Sequence, residues 1–351
     1  MPNDLVLITG ATGFVGFKTL VLLLEAGYRV RVAIRSEIKK AEILAAKSIG
    51  NLHPRADISW VVVPDLAIEG AYHEAVRGVT YVVHLASPML KFTGDVKPEE
   101  YESELIRPSI DGTIGILKSI TTTGASVKRV VITSSAVTLA SAKHVLEEGV
   151  PLGVVLNESS TTPVAQGPYP SPFHAYNAGK IAASAAVHNF MEEAKRTFDV
   201  VHILPSFVLG RNELFTSPAE YFSSSNAPLM SLLLGNKSEQ AVVGATVHID
   251  DVGYMHVKSL DLIVPAGTYI ANSDGYAGSV WQNGVRAAAE AFPEAVAQGI
   301  LKTDGVQPTL RFRVDTSLTE KTLDFKFQTF DSQVKSVVSH YLELLENEAK
   351  E

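Results

Sequence analysis

Short apolar runs recur along the first part of the chain, at residues 5–9, 29–34, 58–63, 81–85, 130–133 and 200–204. The first, Leu5-Val6-Leu7-Ile8-Thr9, has almost no polar interruption. That pattern fits a central parallel strand covered on both faces better than a strand with one wet face. Between the runs lie stretches with helical spacing. One follows the first strand to Leu24 and stops at Gly27; another covers 98–123, with a kink expected at Pro108; a third starts at Ser171-Pro172 and extends to about Phe198. Serine followed by proline is a helix start, because the hydroxyl can cap a free backbone N–H and the proline's missing N–H costs nothing in the first turn. Alternation of this kind predicts an α/β fold, a doubly wound parallel Rossmann sheet.

After about residue 211 the periodicity loosens. The stretch 213–228, rich in serine, proline and aromatics, reads as a mobile loop, and short strands or strand ends are expected at 247–252 and 267–271. Helices are expected near 278–291 and 330–347. The division this predicts is a sheet domain over 1–210 and a small C-terminal lobe over most of 211–351, with some segments returning to the sheet.

Composition narrows the function classes more than the fold. The formal net charge is −8, and none of the 351 residues is cysteine. An acidic chain lacks the clustered positive charge that a nucleic-acid backbone demands, so no such partner is expected. Without cysteine there is no disulfide, no thiolate nucleophile and no thiolate metal ligand. The ten histidines show no metal-ligand spacing, so no metal is expected. No apolar run approaches the roughly 18 residues of a membrane span, and the first strand begins at Leu5, leaving no room for a signal peptide. The expectation is a cytoplasmic monomer or homodimer that acts on a small molecule.

The first strand runs into Gly10-Ala11-Thr12-Gly13-Phe14-Val15-Gly16 and then into a helix. In that context glycines allow a tight turn and close approach of backbone to a pyrophosphate, while the helix N-terminus offers N–H donors. The second strand does not end in the acid that would bind the ribose hydroxyls of NAD. It ends in Arg35, with Lys39 one turn on, and two cations suit a 2′-phosphate. NADPH/NADP+ is therefore favoured over NADH. Asp65, after the third strand, is placed to reach the adenine, and Ala86-Ser87, after the fourth, to pass under the nicotinamide-side ribose. Ser134 and Ser135 stand at the carboxyl end of the fifth strand, the edge where ligands bind in open α/β sheets.

Tyr176 and Lys180 lie four apart on the helix that begins at Ser171, hence on one face and about one turn apart. An ammonium beside a phenol favours the phenolate and is expected to lower the tyrosine pKa from about 10. Such a tyrosine gives a proton to a carbonyl oxygen or takes one from an alcohol. An isolated pair with this spacing is usually an ordinary helix surface. The nucleotide motif upstream is what gives it meaning.

Together, Thr9-Gly10-Ala11-Thr12-Gly13-Phe14-Val15-Gly16, Thr133-Ser134-Ser135 and Tyr176 with Lys180 resemble the extended short-chain dehydrogenase/reductases. Within them the chain is similar to the dihydroflavonol, aldehyde and methylglyoxal reductase group. Val63-Pro64-Asp65, His84-Leu85-Ala86-Ser87-Pro88, Arg107-Pro108-Ser109-Ile110-Asp111-Gly112-Thr113 and Leu323-Asp324-Phe325-Lys326-Phe327 carry the resemblance over essentially the whole chain. It implies a site in which Ser135 polarises the substrate carbonyl and Tyr176 protonates its oxygen as hydride arrives from the nicotinamide. Lys180 would bind the nicotinamide ribose and lower the tyrosine pKa. The resemblance also implies cofactor contacts from Gly10, Thr12, Gly13, Phe14, Val15, Arg35, Lys39, Asp65, Leu66, Ala86, Ser87, Pro205 and Val208, besides Tyr176 and Lys180. The substrate pocket would be walled by Met89, Ala136, Phe173 and Phe207, with help from 213–228. Relatives often carry large aromatics where Met89 and Ala136 stand, which implies a roomier pocket suited to a bulky polyketide-like or aromatic ketone, or to promiscuity.

Two positions depart from the group. Ser109 stands where many relatives have an asparagine that supports a proton-relay water, and Gly179 stands where serine is usual. Ser134 is expected to be a strand-end hydroxyl bonded to backbone. The expected function is an NADPH-dependent carbonyl reductase, a ketoreductase, acting on a ketone or aldehyde. A sugar-nucleotide epimerase or dehydratase of the same fold is disfavoured by Thr133-Ser134-Ser135, which lacks a dehydratase's acids, and by Arg35 and Lys39. A non-enzymatic NADP sensor is disfavoured by the intact Tyr176 and Lys180.

Overall fold

The structure, a computed structural model, describes residues 4–52, 57–87, 96–193, 196–275 and 277–350. The first apolar run is β1 (Leu5–Thr9), buried from Val6 onward, and it lies in the interior of a seven-stranded sheet. The others become β2 (Arg29–Ile34), β3 (Ile58–Val62), β4 (Tyr81–His84), β5 (Arg129–Thr133) and β6 (Asp199–Pro205). The seventh strand, β7 (Gly267–Ala271), was expected among the short strands after residue 211; it sits beside β6 in the main sheet. Strand order is β3-β2-β1-β4-β5-β6-β7. The pairs β1–β2, β1–β4, β2–β3, β4–β5 and β5–β6 are parallel. Thr9 therefore lies level with both Ala33 and His84, and the segments that leave these strands emerge along one edge.

The helices that matter for the site are α1 (Phe14–Glu25), α2 (Glu37–Ala45), α3 (Arg107–Thr123), α4 (Pro172–Glu192), α5 (Ile249–Lys258) and α6 (Phe330–Glu348). Residues 98–123 are not one kinked α-helix. A 3₁₀ turn (Pro98–Glu100) and a π-helical turn (Glu102–Ile106) precede α3, and Pro108 stands in its first turn, where a missing N–H costs nothing. Helix α4 stops at Glu192 rather than near Phe198, which is buried in the core beside β6. Ser171 is at the N-cap of α4, but its hydroxyl pairs with His174 Nδ1 at 2.8 Å instead of capping backbone.

Contacts divide the chain into two units: residues 1–138, 161–204 and 253–269 in the first, and 139–160, 205–252 and 270–351 in the second. This interleaves more finely than a cut at residue 210. The first unit's core joins Leu7, Val82 and Val130 of the sheet to Ile116, Leu117 and Ile120 of α3. Full burial of such a side chain contributes roughly 1.5–3 kcal/mol. At one end of β5 the buried Arg129 guanidinium meets both Asp199 carboxylate oxygens at 2.7 Å and donates to the carbonyls of Ser259 and Asp261.

In the second unit, the stretch 213–228 is built rather than loose. It contains a 3₁₀ helix, Pro218–Ser223, closed by a capping box between Ser217 and Glu220. Tyr221 is fully buried, its hydroxyl 2.8 Å from His340 Nδ1 of α6 and its ring against Phe215 and Tyr341. The aromatics that suggested a loop are its anchors. Among the described residues no helix is long and apolar enough to cross a membrane.

Candidate active site

The turn after β1 can exist only with glycine at two places. Gly10 has φ +75°, and a Cβ on it would stand 2.7 Å from the Ala86 nitrogen; one on Gly16 would stand 2.0 Å from the Gly10 carbonyl oxygen. Gly13 caps α1 with no side-chain partner, and the first turn holds no acid. Helix geometry leaves the N–H groups of Phe14, Val15 and Gly16 without intrahelical acceptors, with the positive end of the dipole behind them. Bare backbone, free donors and no competing carboxylate fit a dinucleotide pyrophosphate.

Beyond β2, Arg35 is exposed and makes no hydrogen bond or ion pair among the described residues. Lys39, expected to share its role, is paired with Glu42 at 2.6 Å on α2. Arg35 is thus the cation left for a 2′-phosphate. Asp65 accepts the Ala67 N–H at 2.9 Å, and the Leu66 side chain fills the space above Gly112, where a Cβ would stand 2.1 Å from Leu66 Cδ1. That leaves the backbone of this turn, rather than the Leu66 side chain, to face a ligand.

The first unit also assembles Ser135, Tyr176 and Lys180. The Ser135 hydroxyl lies beside the Tyr176 phenol and lowers its pKa, and Lys180 Nζ lies 5.8 Å from the centre of the Tyr176 ring. The same Nζ donates to Ser87 Oγ at 3.0 Å, which joins the tyrosine helix to the turn after β4. Ser135 is itself held: its Oγ accepts the Val137 N–H at 3.3 Å, and its carbonyl accepts both N–H and Oγ–H of Thr138.

One electrostatic expectation is overturned. The Tyr176 phenol lies above its ordinary pKa, because burial raises it more than the Ser135 hydrogen bond lowers it. The lysine yields instead: burial pushes Lys180 down to about 8. Placing an ammonium in a poorly solvated site costs more than placing a neutral phenol there, so the pair is biased toward the less charged forms.

Behind Lys180 lies a small cavity, with about 20 Å³ open to the centre of a water molecule, lined also by Ser87, Ser109, Ser134, His84 and His202. That is room for one water. His84 was not singled out from the sequence. It is 2% exposed, its Nδ1 is 2.9 Å from Thr9 Oγ1, and Thr9 Oγ1 accepts the Ala86 N–H. Burial first, and Lys180 second, hold it neutral, at about 3. Thr9 and His84 thus brace the turn that carries Ser87.

Ser109 and Gly179, the two positions that depart from the resembled group, share a cause. Ser109 donates its proton to the Leu105 carbonyl at 2.7 Å, and a Cβ on Gly179 would stand 3.2 Å from both the Leu105 oxygen and Ile106 Cα. The π-helical turn presses on α4 at the residue before Lys180. Ser134 binds Ile203 through its backbone N–H at 2.8 Å, rather than through its hydroxyl as expected.

The expected substrate wall is less complete. Phe173 stands beside Tyr176, ring centres 5.9 Å apart and tilted by 50°. Ala136, expected to face an open volume, is only 3% exposed. Met89 lies outside the described residues. Pro205, Phe207 and Val208 belong to the second unit, where Phe207 packs edge-on against Trp281 and the Val208 carbonyl accepts Ser225 Oγ–H at 2.6 Å. Among the described residues no cluster of metal-ligating side chains occurs.

Residues 6–230 match the NAD dependent epimerase/dehydratase family. Over 356 residues the chain is 38% identical to the ketoreductase CTB6 of Cercospora nicotianae, an alignment covering 99% of this chain and 98% of that protein. It is 36% identical over 358 residues to the NAD-dependent epimerase/dehydratase ALT6 of Alternaria alternata, covering 96% and 98%. Among solved structures, Gre2 from Candida albicans in complex with NADPH is similar with a TM-score of 0.79 at 23% identity, over 97% of this chain and 99% of that one. At that identity the likeness is one of fold.

Proposed function

The chain belongs to the NAD dependent epimerase/dehydratase family, that of the extended short-chain dehydrogenase/reductases, and from that premise we propose that it is an NADPH-dependent ketoreductase with Tyr176 as its general acid. It is an NAD(P)-dependent oxidoreductase in either case; the proposal concerns direction, cofactor and residues. The observation that carries it is the placement of the Tyr176 phenol beside the Ser135 hydroxyl and Lys180, with burial raising its pKa. A proton kept on the phenol at neutral pH suits donation to a carbonyl oxygen better than abstraction from an alcohol.

Bound NADPH would supply the hydride to the carbonyl carbon. The chain's own residues manage the oxygen. Ser135 donates a hydrogen bond to it, Tyr176 passes it the phenolic proton as negative charge grows there, and the product is the alcohol. The ammonium of Lys180, 5.8 Å from the ring centre, then stabilises the phenolate that remains. Arg35, exposed beyond β2 and without a hydrogen bond or ion pair among the described residues, supports the choice of NADPH. The ketone is supported by the name of the Cercospora nicotianae relative. Phe173 offers an apolar face to the carbonyl's substituents.

The test is NADPH oxidation followed by absorbance against a panel of ketones and aldehydes, with NADH in parallel, for wild type and Tyr176→Phe. Loss of a general acid is typically worth 10²–10⁴-fold, so the variant should lose nearly all turnover while binding NADPH almost unchanged. Turnover above about a tenth of wild type would remove Tyr176 from this role.

A further inference from the structure

We propose that Asn177 is a positioning residue that keeps Ser135 at its working distance from Tyr176 when a substrate oxygen enters between them. This rests on the reading of Ser135 and Tyr176 given above. Consecutive helix residues point roughly 100° apart, so Tyr176 and Asn177 engage different parts of the turn after β5. The Tyr176 phenol lies beside the Ser135 hydroxyl. Asn177, 1% exposed, donates from Nδ2 to the Val137 carbonyl at 2.7 Å. Val137 in turn donates its own N–H to Ser135 Oγ at 3.3 Å.

The helix thus reaches Ser135 by way of Val137: Asn177 holds the Val137 carbonyl, and the Val137 N–H holds Ser135 Oγ. A carbonyl oxygen that takes a hydrogen bond from both hydroxyls has to enter between Ser135 and Tyr176. The Asn177–Val137 bond touches nothing that reacts, so it stays in place. It ties this turn of α4 to the Ala136–Leu139 turn. A donor of fixed length on a rigid helix suits that task, since misplacement of a reacting group by about 1 Å can cost on the order of 10²-fold in rate. The residue also has a second reason to be an amide. The half-buried Val137 carbonyl gains a donor there, and the side chain beside the catalytic tyrosine supplies it without adding a charge.

The experiment is a double-mutant cycle on the full-length enzyme with NADPH and its best ketone. Asn177→Ala and Asn177→Ser are each made in wild type and in Ser135→Ala, and kcat, KM, NADPH Kd and melting temperature are read for all. With Ser135 present, kcat should fall about 10- to 100-fold for Asn177→Ala. It should fall less for Asn177→Ser, whose hydroxyl keeps a shorter donor, and NADPH Kd should stay within about 2-fold in both. In the Ser135→Ala background neither substitution should slow the enzyme further by more than about 2-fold, because the group being positioned is gone. An equal loss of kcat in both backgrounds would overturn the proposal and make Asn177 merely structural. If Ser135→Ala alone leaves turnover unchanged, it is the reading of Ser135 that fails. Should Asn177→Ala not fold, Asn177→Ser carries the same comparison.

Discussion

Replacing Lys180 by methionine should stabilise the protein while destroying its activity, and the gain should depend on pH in a way that identifies its cause. Lys180 is 9% exposed, and burial pushes its pKa from 10.5 down to about 8. In the unfolded chain it titrates near its ordinary value. Between those two values the unfolded state holds a proton that the folded state has released, so this group makes stability rise with pH across that window. Below about pH 8 the side chain is charged in both states, and the folded state bears the whole penalty. At about 1.4 kcal/mol per pH unit, the depression amounts to roughly 3 kcal/mol.

Methionine has similar length and no charge, and it removes that penalty. It also removes the 3.0 Å hydrogen bond to Ser87, worth about 1 kcal/mol. The expected balance is a variant more stable than wild type by about 2 kcal/mol at pH 7. The gain should shrink as pH rises past 8 and turn into a loss of about 1 kcal/mol beyond 10.5, where both proteins are neutral at this position and only the lost hydrogen bond remains. Urea unfolding of the two cofactor-free proteins at several pH values measures the difference directly, other titrations cancelling between them. A wild type more stable than the variant at pH 6.5, or a difference that does not change with pH, would refute the reasoning.

Arg35→Ala should weaken NADPH binding by about 10- to 150-fold, the worth of one charge-assisted hydrogen bond, and leave NADH nearly unchanged; equal losses in a fluorescence titration of both cofactors would show that Arg35 is elsewhere. Gly179→Ala gains about 1 kcal/mol of helix propensity but puts a Cβ 3.2 Å from the Leu105 oxygen and Ile106 Cα, both backbone. Overpacking of that kind costs about 1–3 kcal/mol, so the denaturation midpoint should fall; a rise would mean that the π-helical turn has slack to give.

Much of this was legible from the chain because the physics was local. A strand buried on both faces has to be apolar, and the interior runs of β1 and β4 and the Val130–Ile132 run of β5 are. A turn that brings Gly10 within van der Waals contact of Ala86 excludes every side chain, which is why glycines advertise it. Four residues make about one helical turn, so Tyr176 and Lys180 had to share a face. Some signals were present and outweighed. Glu42 stands three residues after Lys39, the spacing of an ion pair on a helix, and Ser217 stands three before Glu220, the spacing of a capping box. The serines and prolines around them suggested a loop, but Tyr221 is a core residue, and its anchor, His340, is 119 residues away.

What stayed hidden depends on groups brought from elsewhere. Whether an ammonium lowers a neighbouring phenol or is itself pushed down depends on how much solvent each keeps, and spacing on one helix does not contain that number. Burial wins here, so Lys180 yields its proton more readily and Tyr176 holds its own. Ser109 and Gly179 show the same limit at the level of packing. Taken singly, one is a missing asparagine and the other a weak helix former. In the fold they face one object, the Leu105–Ile106 segment of the π-helical turn: Ser109 binds its carbonyl, and Gly179 makes room for its backbone. A Cβ at position 179 would stand 3.2 Å from that carbonyl oxygen and from Ile106 Cα, so the π-helical turn would have to give by a few tenths of an ångström to admit the usual serine.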